Sequence, residues 1–415
     1  MGNVKKYIAS VLPGIFLIGY NVGTGSITAM SKSGANFGLD LLWTVALSCL
    51  ITWFLMIHFA KFTSVTGLTA IQGMRKHLHP VLAIAMVVAL SLIIVSALIG
   101  VLGIVADVLH MWSASIFDGG IHAGLWALAI AGILLLLMWK GDTAFFEKIL
   151  ALLVAVMGLA FIATMVIKFP KLSELASGFV PSLPEQSSGS DNNSLVILTG
   201  MVGTTVSTFV FIIRSQIAQE KGWTQTDKKI QYRDAKVSAS LMFLISAAVM
   251  ITAATTLHVK GIKLNHVSEM IELMGPIAGK SAMSIFVIGI VAAGISSHLP
   301  NLLVIPWLII DYKSEERNTT KLKYRLILLL LSMISVCGVL FGFKPVFVLL
   351  MSQACLSVVL PVTVGVIFYL SSRKKLMGEH ANNKWETIAL AAIMIFALYM
   401  GSQGVLGVIS DIMSA

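Results

Sequence analysis

Eleven long apolar segments constrain this chain more than any other feature, because most of them are long enough to cross a bilayer as a helix. About 20 apolar residues span the hydrocarbon core, where only helices and closed barrels satisfy their own backbone polar groups. The segments fall at roughly 8–30, 41–60, 81–106, 124–139, 145–167, 195–213, 237–258, 281–310, 326–343, 345–370 and 388–409. Only 12% of the residues are charged, against about 25% in soluble domains. The sequence therefore predicts an all-α polytopic membrane protein with eleven transmembrane helices.

The loop charges predict the orientation of these helices. If the N-terminus is cytoplasmic, the cytoplasmic loops hold roughly three times as many Lys and Arg residues as the outer loops, as the positive-inside rule requires. The C-terminus then lies outside, and a bacterial inner (plasma) membrane is the expected location. The net charge of +10 resides in these loops, so the expected surroundings are a lipid bilayer and not a nucleic acid. No cofactor is expected.

Two segments contain stretches that are unfavourable for a continuous helix. Residues 19–28 (GYNVGTGSIT) lie in the first segment, and residues 200–208 (GMVGTTVST) lie in the sixth. Glycine in a helix interior costs about 1 kcal/mol relative to alanine, and unwound backbone at membrane depth is found where it lines a cavity. Paired interrupted helices indicate the binding site of a secondary transporter. The alternative is two faces of small residues that serve only helix packing.

The spacing of the two stretches also predicts the domain organisation. An odd number of helices in each half inverts the second half relative to the first, as in transporters with inverted repeats. We expect a first repeat of five helices over 1–169, an outer loop over 170–194, a second repeat of five helices over 195–380, and an eleventh helix with an outer tail over 381–415.

Short motifs along the chain resemble the Nramp (natural resistance-associated macrophage protein) family of metal-ion transporters. They lie in one order across the eleven segments: FGLDLLW at 37–43, VTGL at 65–68, Glu147-Lys148, GFVPSLP at 178–184, AAGISS at 292–297, SQ at 352–353, LS at 356–357, LP at 360–361 and LMGE at 376–379. The resemblance implies the LeuT-type fold of the APC superfamily, a 5+5 inverted repeat plus one helix, and alternating access. It also makes metal-ion transport the default function.

The same resemblance implies that this chain is a divergent member that has lost the metal site. The positions of the Asp-Pro-Gly-Asn motif that binds metal in the family are Gly23, Thr24, Gly25 and Ser26, and those of its Met-Pro-His motif are Ser207, Thr208 and Phe209. A family histidine corresponds to Arg214, and an acidic pair linked to proton movement corresponds to Ala97 and Gly100. The family's glutamine is kept as Gln353.

The residues themselves lead to the same expectation, since no Asp or Glu lies near the middle of an apolar segment. Divalent cations require oxygen ligands, usually carboxylates, or imidazole and sulfur for the softer metals. The candidate substrate-binding residues are neutral: Asn21, Gly23, Thr24, Gly25, Ser26, Gly203, Thr204, Ser207, Thr208, Phe209 and Gln353. Their hydroxyl groups either bind the substrate or bond back to their own helices.

Three residues of the eighth segment are candidates for sodium binding or coupling, namely Ser296, Ser297 and His298. Hydroxyl groups at this place form a sodium site in many transporters of the implied fold. His298 either takes part in a proton step or contacts the substrate, or it is a core histidine with satisfied hydrogen bonds. Arg214 is interpreted as a residue that snorkels to the cytoplasmic surface, with attraction of an anionic solute as the alternative.

The sequence thus favours a secondary active transporter, not an enzyme, that moves a small neutral or anionic organic solute, with Na⁺ or H⁺ as the candidate coupling ion. The alternative is a divalent cation transporter in which a neutral site passes a hydrated ion such as Mg²⁺, which loses its water reluctantly. A membrane receptor that transports nothing is the third class considered, and it would not need two interrupted helices at matching positions.

Overall fold

The computed structural model describes residues 17, 21–139, 152, 158–182, 194–266, 269, 282–316 and 318–414. Helices and short turns account for all regular structure in these residues, and no strand is present among them. Each of the eleven predicted segments contains helix within its described part. The all-α prediction is therefore confirmed. The first half of segment 1, most of segment 5 and part of the outer loop lie outside the described residues.

The helices, numbered in chain order, are α1 (Thr24–Phe37), α2 (Leu42–Thr66), α3 (Ala70–His77), α4 (Pro80–Ala114), α5 (Ala123–Trp139), α6 (Gly158–Ile167), α7 (Leu172–Ser177), α8 (Ser194–Thr205), α9 (Thr208–Glu220), α10 (Lys228–Thr256), α11 (Ala282–Lys313), α12 (Leu322–Leu340), α13 (Pro345–Ser372), α14 (Lys374–Met377) and α15 (Lys384–Ser414). Within the described residues, eight helices or helix pairs are long and apolar enough to span a membrane, and α5 and α6 are shorter apolar helices.

Both predicted helix interruptions are present, and both are shorter than expected. The first lies at Val22 and Gly23, directly before α1, and the second lies at Val206 and Ser207, between α8 and α9. Each interruption covers two residues within the predicted stretches 19–28 and 200–208. The other Gly, Ser and Thr residues of 23–26 and 203–208 occupy the first turn of α1, the last turn of α8 and the first turn of α9, where some backbone groups lack helical partners without any unwinding.

The interrupted pair α8–α9 lies at the centre of the helix assembly, since the most apolar window of this pair is 100% buried. The corresponding window of α15 is only 33% buried, as suits a helix that faces lipid. Glycines bring the central helices close together. A Cβ atom on Gly34 of α1 would lie 2.3 Å from the carbonyl oxygen of Met250 in α10, and one on Gly203 would lie 2.0 Å from that of Gln353 in α13.

The long connection after α6 packs against the start of α2. The backbone N–H of Trp43 donates to the carbonyl oxygen of Gly178 (2.8 Å), and its indole N–H donates to that of Ser182 (3.0 Å). These residues belong to the FGLDLLW and GFVPSLP motifs, so two motifs that are far apart in sequence form one contact. The four domain boundaries given above stay predictions.

Candidate functional site

A small cavity lies between the two helix interruptions and is called the central cavity below. Its wall includes Asn21, Gly23, Gly25, Ser26, Thr204, Ser207, Phe209, Ser297 and Gln353 among the predicted site residues. The volume open to the centres of water molecules is about 40 Å³. Because one water needs about 10–15 Å³ by this measure, the cavity holds roughly three waters in this conformation.

The interruption before α1 is held against α11 by a direct hydrogen bond. The backbone N–H of Thr24 donates to the Ser297 hydroxyl (2.9 Å), and this hydroxyl donates to the carbonyl oxygen of Ala293 (2.9 Å). A Cβ atom on Gly23 would lie only 1.7 Å from Ser297 Oγ. The close approach of the two helices therefore depends on glycine at position 23.

The interruption between α8 and α9 has a carbonyl group that is already satisfied. The Thr205 carbonyl oxygen accepts hydrogen bonds from Asn21 Nδ2 (3.2 Å) and from Thr52 Oγ1 (2.8 Å). A carbonyl oxygen has two lone pairs, so these two donors use its accepting capacity. A cation could coordinate this oxygen only by displacing one of them.

Other polar groups of the central cavity are free to bind a solute. The hydroxyls of Ser26, Thr204 and Ser207, each on a residue that is at most 4% exposed, make no hydrogen bond to any described residue. The Gln353 amide makes only a 3.5 Å contact with Ser352. Buried polar groups normally have partners, so these groups favour a polar ligand.

Sequence reasoning missed Asn301 of α11, which also lines the central cavity. It lies four residues after Ser297, one helical turn further along the same face, and this spacing was a signal that could have found it. Its side-chain amide makes no hydrogen bond within the described residues. The cavity also has an apolar wall, formed by Ile93, Ile94, Ala97, Val101, Leu349 and Leu356. Of these residues only Ala97 was named from the sequence, as a position of the family's acidic pair.

The remaining predicted residues lie outside the wall of the central cavity. Gly203 packs against α13, the Thr208 hydroxyl lies 2.8 Å from that of Thr363, and the Ser296 hydroxyl donates to Ala293. The Thr24 hydroxyl is buried and has no partner in the described structure. These residues shape the site through their packing and do not face its interior.

One interpretation of His298 was a core histidine whose ring nitrogens both have hydrogen-bond partners, and the structure does not agree with it. It is 1% exposed, and neither ring nitrogen has a hydrogen-bond partner in the described structure. It is adjacent to Ser297 but does not line the central cavity. Its role in coupling stays a prediction.

Arg214 does not snorkel, and that interpretation was wrong. Its side chain is 0% exposed and pairs with Asp234 of α10, which is also 0% exposed. It donates to the Gln231 carbonyl oxygen (3.1 Å), and its guanidinium lies 4.8 Å from the centre of the Trp223 ring. The Asp234 carboxylate compensates the positive charge of the buried guanidinium. Arg214 does not line the central cavity.

The wall of the central cavity contains no Asp, Glu, His, Cys or Met side chain. Across the described part of the chain, no group of three His, Cys, Asp or Glu residues is arranged to hold a metal ion. The site can therefore donate and accept hydrogen bonds, but it brings no formal charge to a ligand.

Two interrupted helices that meet at a polar cavity are typical of a secondary transporter, and comparison with known proteins agrees with this class. The family described as "Natural resistance-associated macrophage protein-like" (Nramp) matches residues 14–406. The chain belongs to the Nramp family. The chain is 26% identical over 390 residues to the divalent metal cation transporter MntH of Granulibacter bethesdensis, covering 90% of this chain and 83% of the relative. It is 24% identical over 373 residues to MntH of Klebsiella pneumoniae, covering 89% and 86%.

Solved structures confirm the LeuT-type fold that was expected from the sequence motifs. The manganese transporter of Eremococcus coleocola, solved with an aromatic bis-isothiourea substituted compound, superposes with a TM-score of 0.77 at 18% identity, covering 99% of this chain and 92% of the other. Mhp1, a nucleobase-cation-symport-1 family transporter, superposes with a TM-score of 0.61 at 14% identity, covering 98% and 91%. At these identities the likeness concerns the fold alone.

Proposed function

We propose that this Nramp-family protein is a secondary active transporter for a small neutral or anionic organic solute. The solute binds in the central cavity between the interruptions at Gly23 and Ser207, and alternating access exposes it to one side of the membrane at a time. The orientation with a cytoplasmic N-terminus and an outer C-terminus, and the two inverted five-helix repeats, are parts of this proposal.

One observation carries the choice of an organic solute over a metal ion, namely the Thr205 carbonyl oxygen with its two donors, Asn21 and Thr52. A carbonyl at a helix interruption is a natural ligand for a cation, and here it is occupied. The wall supplies hydroxyl and amide groups and no carboxylate, imidazole or sulfur. Such a wall suits a ligand that makes hydrogen bonds and does not need its positive charge neutralised.

A divalent cation remains the second candidate, because the two MntH relatives are both described as divalent metal cation transporters. A hydrated Mg²⁺ ion would use the hydroxyl groups and Gln353 through its own water molecules. This candidate has the support of family membership, whereas the ligand chemistry of the central cavity favours the organic solute.

Sodium coupling through Ser296 and Ser297 also stays a prediction. Both hydroxyls donate to the Ala293 carbonyl oxygen, and that of Ser297 also accepts from Thr24. Accepting from Thr24 uses one of the two lone pairs of the Ser297 hydroxyl oxygen, so one lone pair remains for a sodium ion.

A ligand screen by thermal shift tests the proposed function. We expect at least one of the small organic acids, amino acids or sugars in the screen to raise the Tm of the detergent-solubilised wild-type protein, whereas Mg²⁺ and Mn²⁺ do not. The matched variant is Gly25→Val, because a Cβ atom there would lie 2.9 Å from Gln353 Nε2 and valine would fill the cavity. Stabilisation by a divalent ion alone would contradict the proposal.

A further inference from the structure

We infer that the solute is a small organic monoanion, such as a monocarboxylate, with a compact apolar body, and that Asn301 is a specificity-determining residue for it. This inference rests on the proposed function and narrows the solute class. Four features of the central cavity support it: the helix N-termini that meet there, the free donors beside them, the apolar residues in its wall and the cavity volume.

The charge of the solute follows from the two helices that begin at the central cavity. The residue that precedes α1 is Gly23, the residue that precedes α9 is Ser207, and both line the cavity. Each helix N-terminus acts as roughly +0.5 elementary charge. The C-terminal end of α8 also lies here, but its Thr205 carbonyl oxygen already accepts from Asn21 and Thr52. The ends left open to a ligand are therefore the two positive ones, which favours an anion over a cation.

Free donors lie where an anionic group would bind. In the first turn of α1, the N–H of Thr24 is used by Ser297 and that of Ile27 by Gly23. The amides of Gly25 and Ser26 between them make no hydrogen bond to a described residue, and both residues line the cavity. The hydroxyls of Ser26 and Ser207 are likewise without a partner in the described structure. These groups form a cluster of donors suited to carboxylate oxygens.

The apolar residues that line the central cavity indicate an apolar body for the solute. Four residues of α4 (Ile93, Ile94, Ala97, Val101) and two of α13 (Leu349, Leu356) form this wall. Burying a second carboxylate or a ring of hydroxyls against it would leave polar groups without partners, at a substantial cost. A cavity for roughly three waters fits a solute of about four to six non-hydrogen atoms.

Asn301 lines the central cavity one turn beyond Ser297, and its amide has no hydrogen-bond partner within the described residues. A neutral amide can donate to an anion or accept from a hydroxyl of the solute. Aspartate at this position keeps the shape and adds a negative charge to the cavity. It should therefore weaken the binding of a monoanion far more than that of a neutral solute.

Binding of matched probes to the purified full-length protein at pH 7.5 tests the inference. The probes are propionate and lactate, their uncharged amides propionamide and lactamide, and the dianions malonate and succinate. We expect a monocarboxylate to bind at least about tenfold more tightly than its amide, and the dianions to bind more weakly than either acid. Asn301→Asp should weaken binding of the monocarboxylate by about 100-fold, from one like charge at about 5 Å in a partly buried site.

The control is Asn318→Asp, which makes the same change on an exposed loop and should leave binding unchanged. If Asn301→Asp does not fold, Asn301→Leu replaces it, with a smaller expected loss of affinity for the monocarboxylate. The comparison of acid and amide on the wild-type protein tests the charge of the solute without any variant. Equal binding of acid and amide, tighter binding of a dianion, or binding of no monocarboxylate would overturn the inference. The first two results would still agree with the proposed function, transport of an organic solute. A response to Mg²⁺ or Mn²⁺ alone would overturn the proposed function as well.

Discussion

Replacing Arg214 by methionine is expected to lower the free energy of unfolding by about 3–5 kcal/mol, the usual cost of removing one partner from a buried ion pair. Both Arg214 and Asp234 are 0% exposed, so the change leaves the Asp234 carboxylate in the interior without its guanidinium. The hydrogen bond to the Gln231 carbonyl and the contact with Trp223 are lost at the same time. Denaturant unfolding in detergent micelles measures the effect.

Two further variants show whether the cost comes from the loss of this ion pair. Arg214→Met combined with Asp234→Leu removes both charges and should recover most of the loss, because apolar replacement of a whole buried pair is often close to neutral. Arg373→Met removes an exposed arginine and should change stability by no more than about 0.5 kcal/mol. A loss below about 1 kcal/mol for Arg214→Met would contradict the buried pair.

The second large effect is expected at Gly23, where alanine should reduce solute binding by roughly 5- to 150-fold. A Cβ atom there would lie 1.7 Å from Oγ and 2.9 Å from Cβ of Ser297. One of the two helices must move, and overpacking of this kind costs about 1–3 kcal/mol. The movement also breaks the hydrogen bond from Thr24 to Ser297 and shifts the first turn of α1 that faces the cavity. Titration of the ligand found in the thermal-shift screen measures the change.

Gly132→Ala is the matched control, since Gly132 has no atom within 4 Å of the added Cβ position. Alanine there should leave binding unchanged and favour the helix by up to about 1 kcal/mol. The pair Gly23→Ala with Ser297→Gly removes the clash and should restore part of the affinity. Unchanged binding by Gly23→Ala alone would show that α1 and α11 are not held as close as described.

Much of the fold was predictable, because membrane helices obey a simple rule of length and composition. The apolar segments and the two interruptions could be located from the sequence, since glycine and hydroxyl residues are unusual in the middle of such segments. The width of each interruption could not be predicted. Whether Gly25 and Ser26 continue a helix depends on the contacts that Gly23 and Thr24 make with Ser297, 273 residues away from Thr24.

The site residues were predictable mainly where polar side chains lie within the two unusual stretches of the sequence. The residues beside the interruptions, such as Ser26 and Ser207, were found because they lie in the unusual stretches. Asn301 was missed because its spacing of one helical turn from Ser297 was not used as a signal. The burial of Arg214 was missed because its partner, Asp234, lies in a stretch that the charge pattern assigned to a cytoplasmic loop.

The occupied carbonyl of Thr205 was also beyond sequence reasoning. It depends on Asn21 and Thr52 reaching one backbone oxygen from two other parts of the chain. A family resemblance at the level of motifs cannot reveal this contact, although the choice between a metal ion and an organic solute depends on it.

Flux of divalent ions into proteoliposomes tests the central claim most directly, namely that this Nramp-family protein has a site without the means to bind a metal ion. Vesicles that enclose a dye quenched by Mn²⁺, and a parallel set with an Mg²⁺-sensitive dye, receive the ions on the outside. The same vesicles take up the labelled organic solute identified by thermal shift, which establishes that the protein is active. The proposal predicts solute uptake with no ion flux above that of protein-free vesicles, whereas rapid, saturable, protein-dependent quenching at micromolar Mn²⁺ would contradict it.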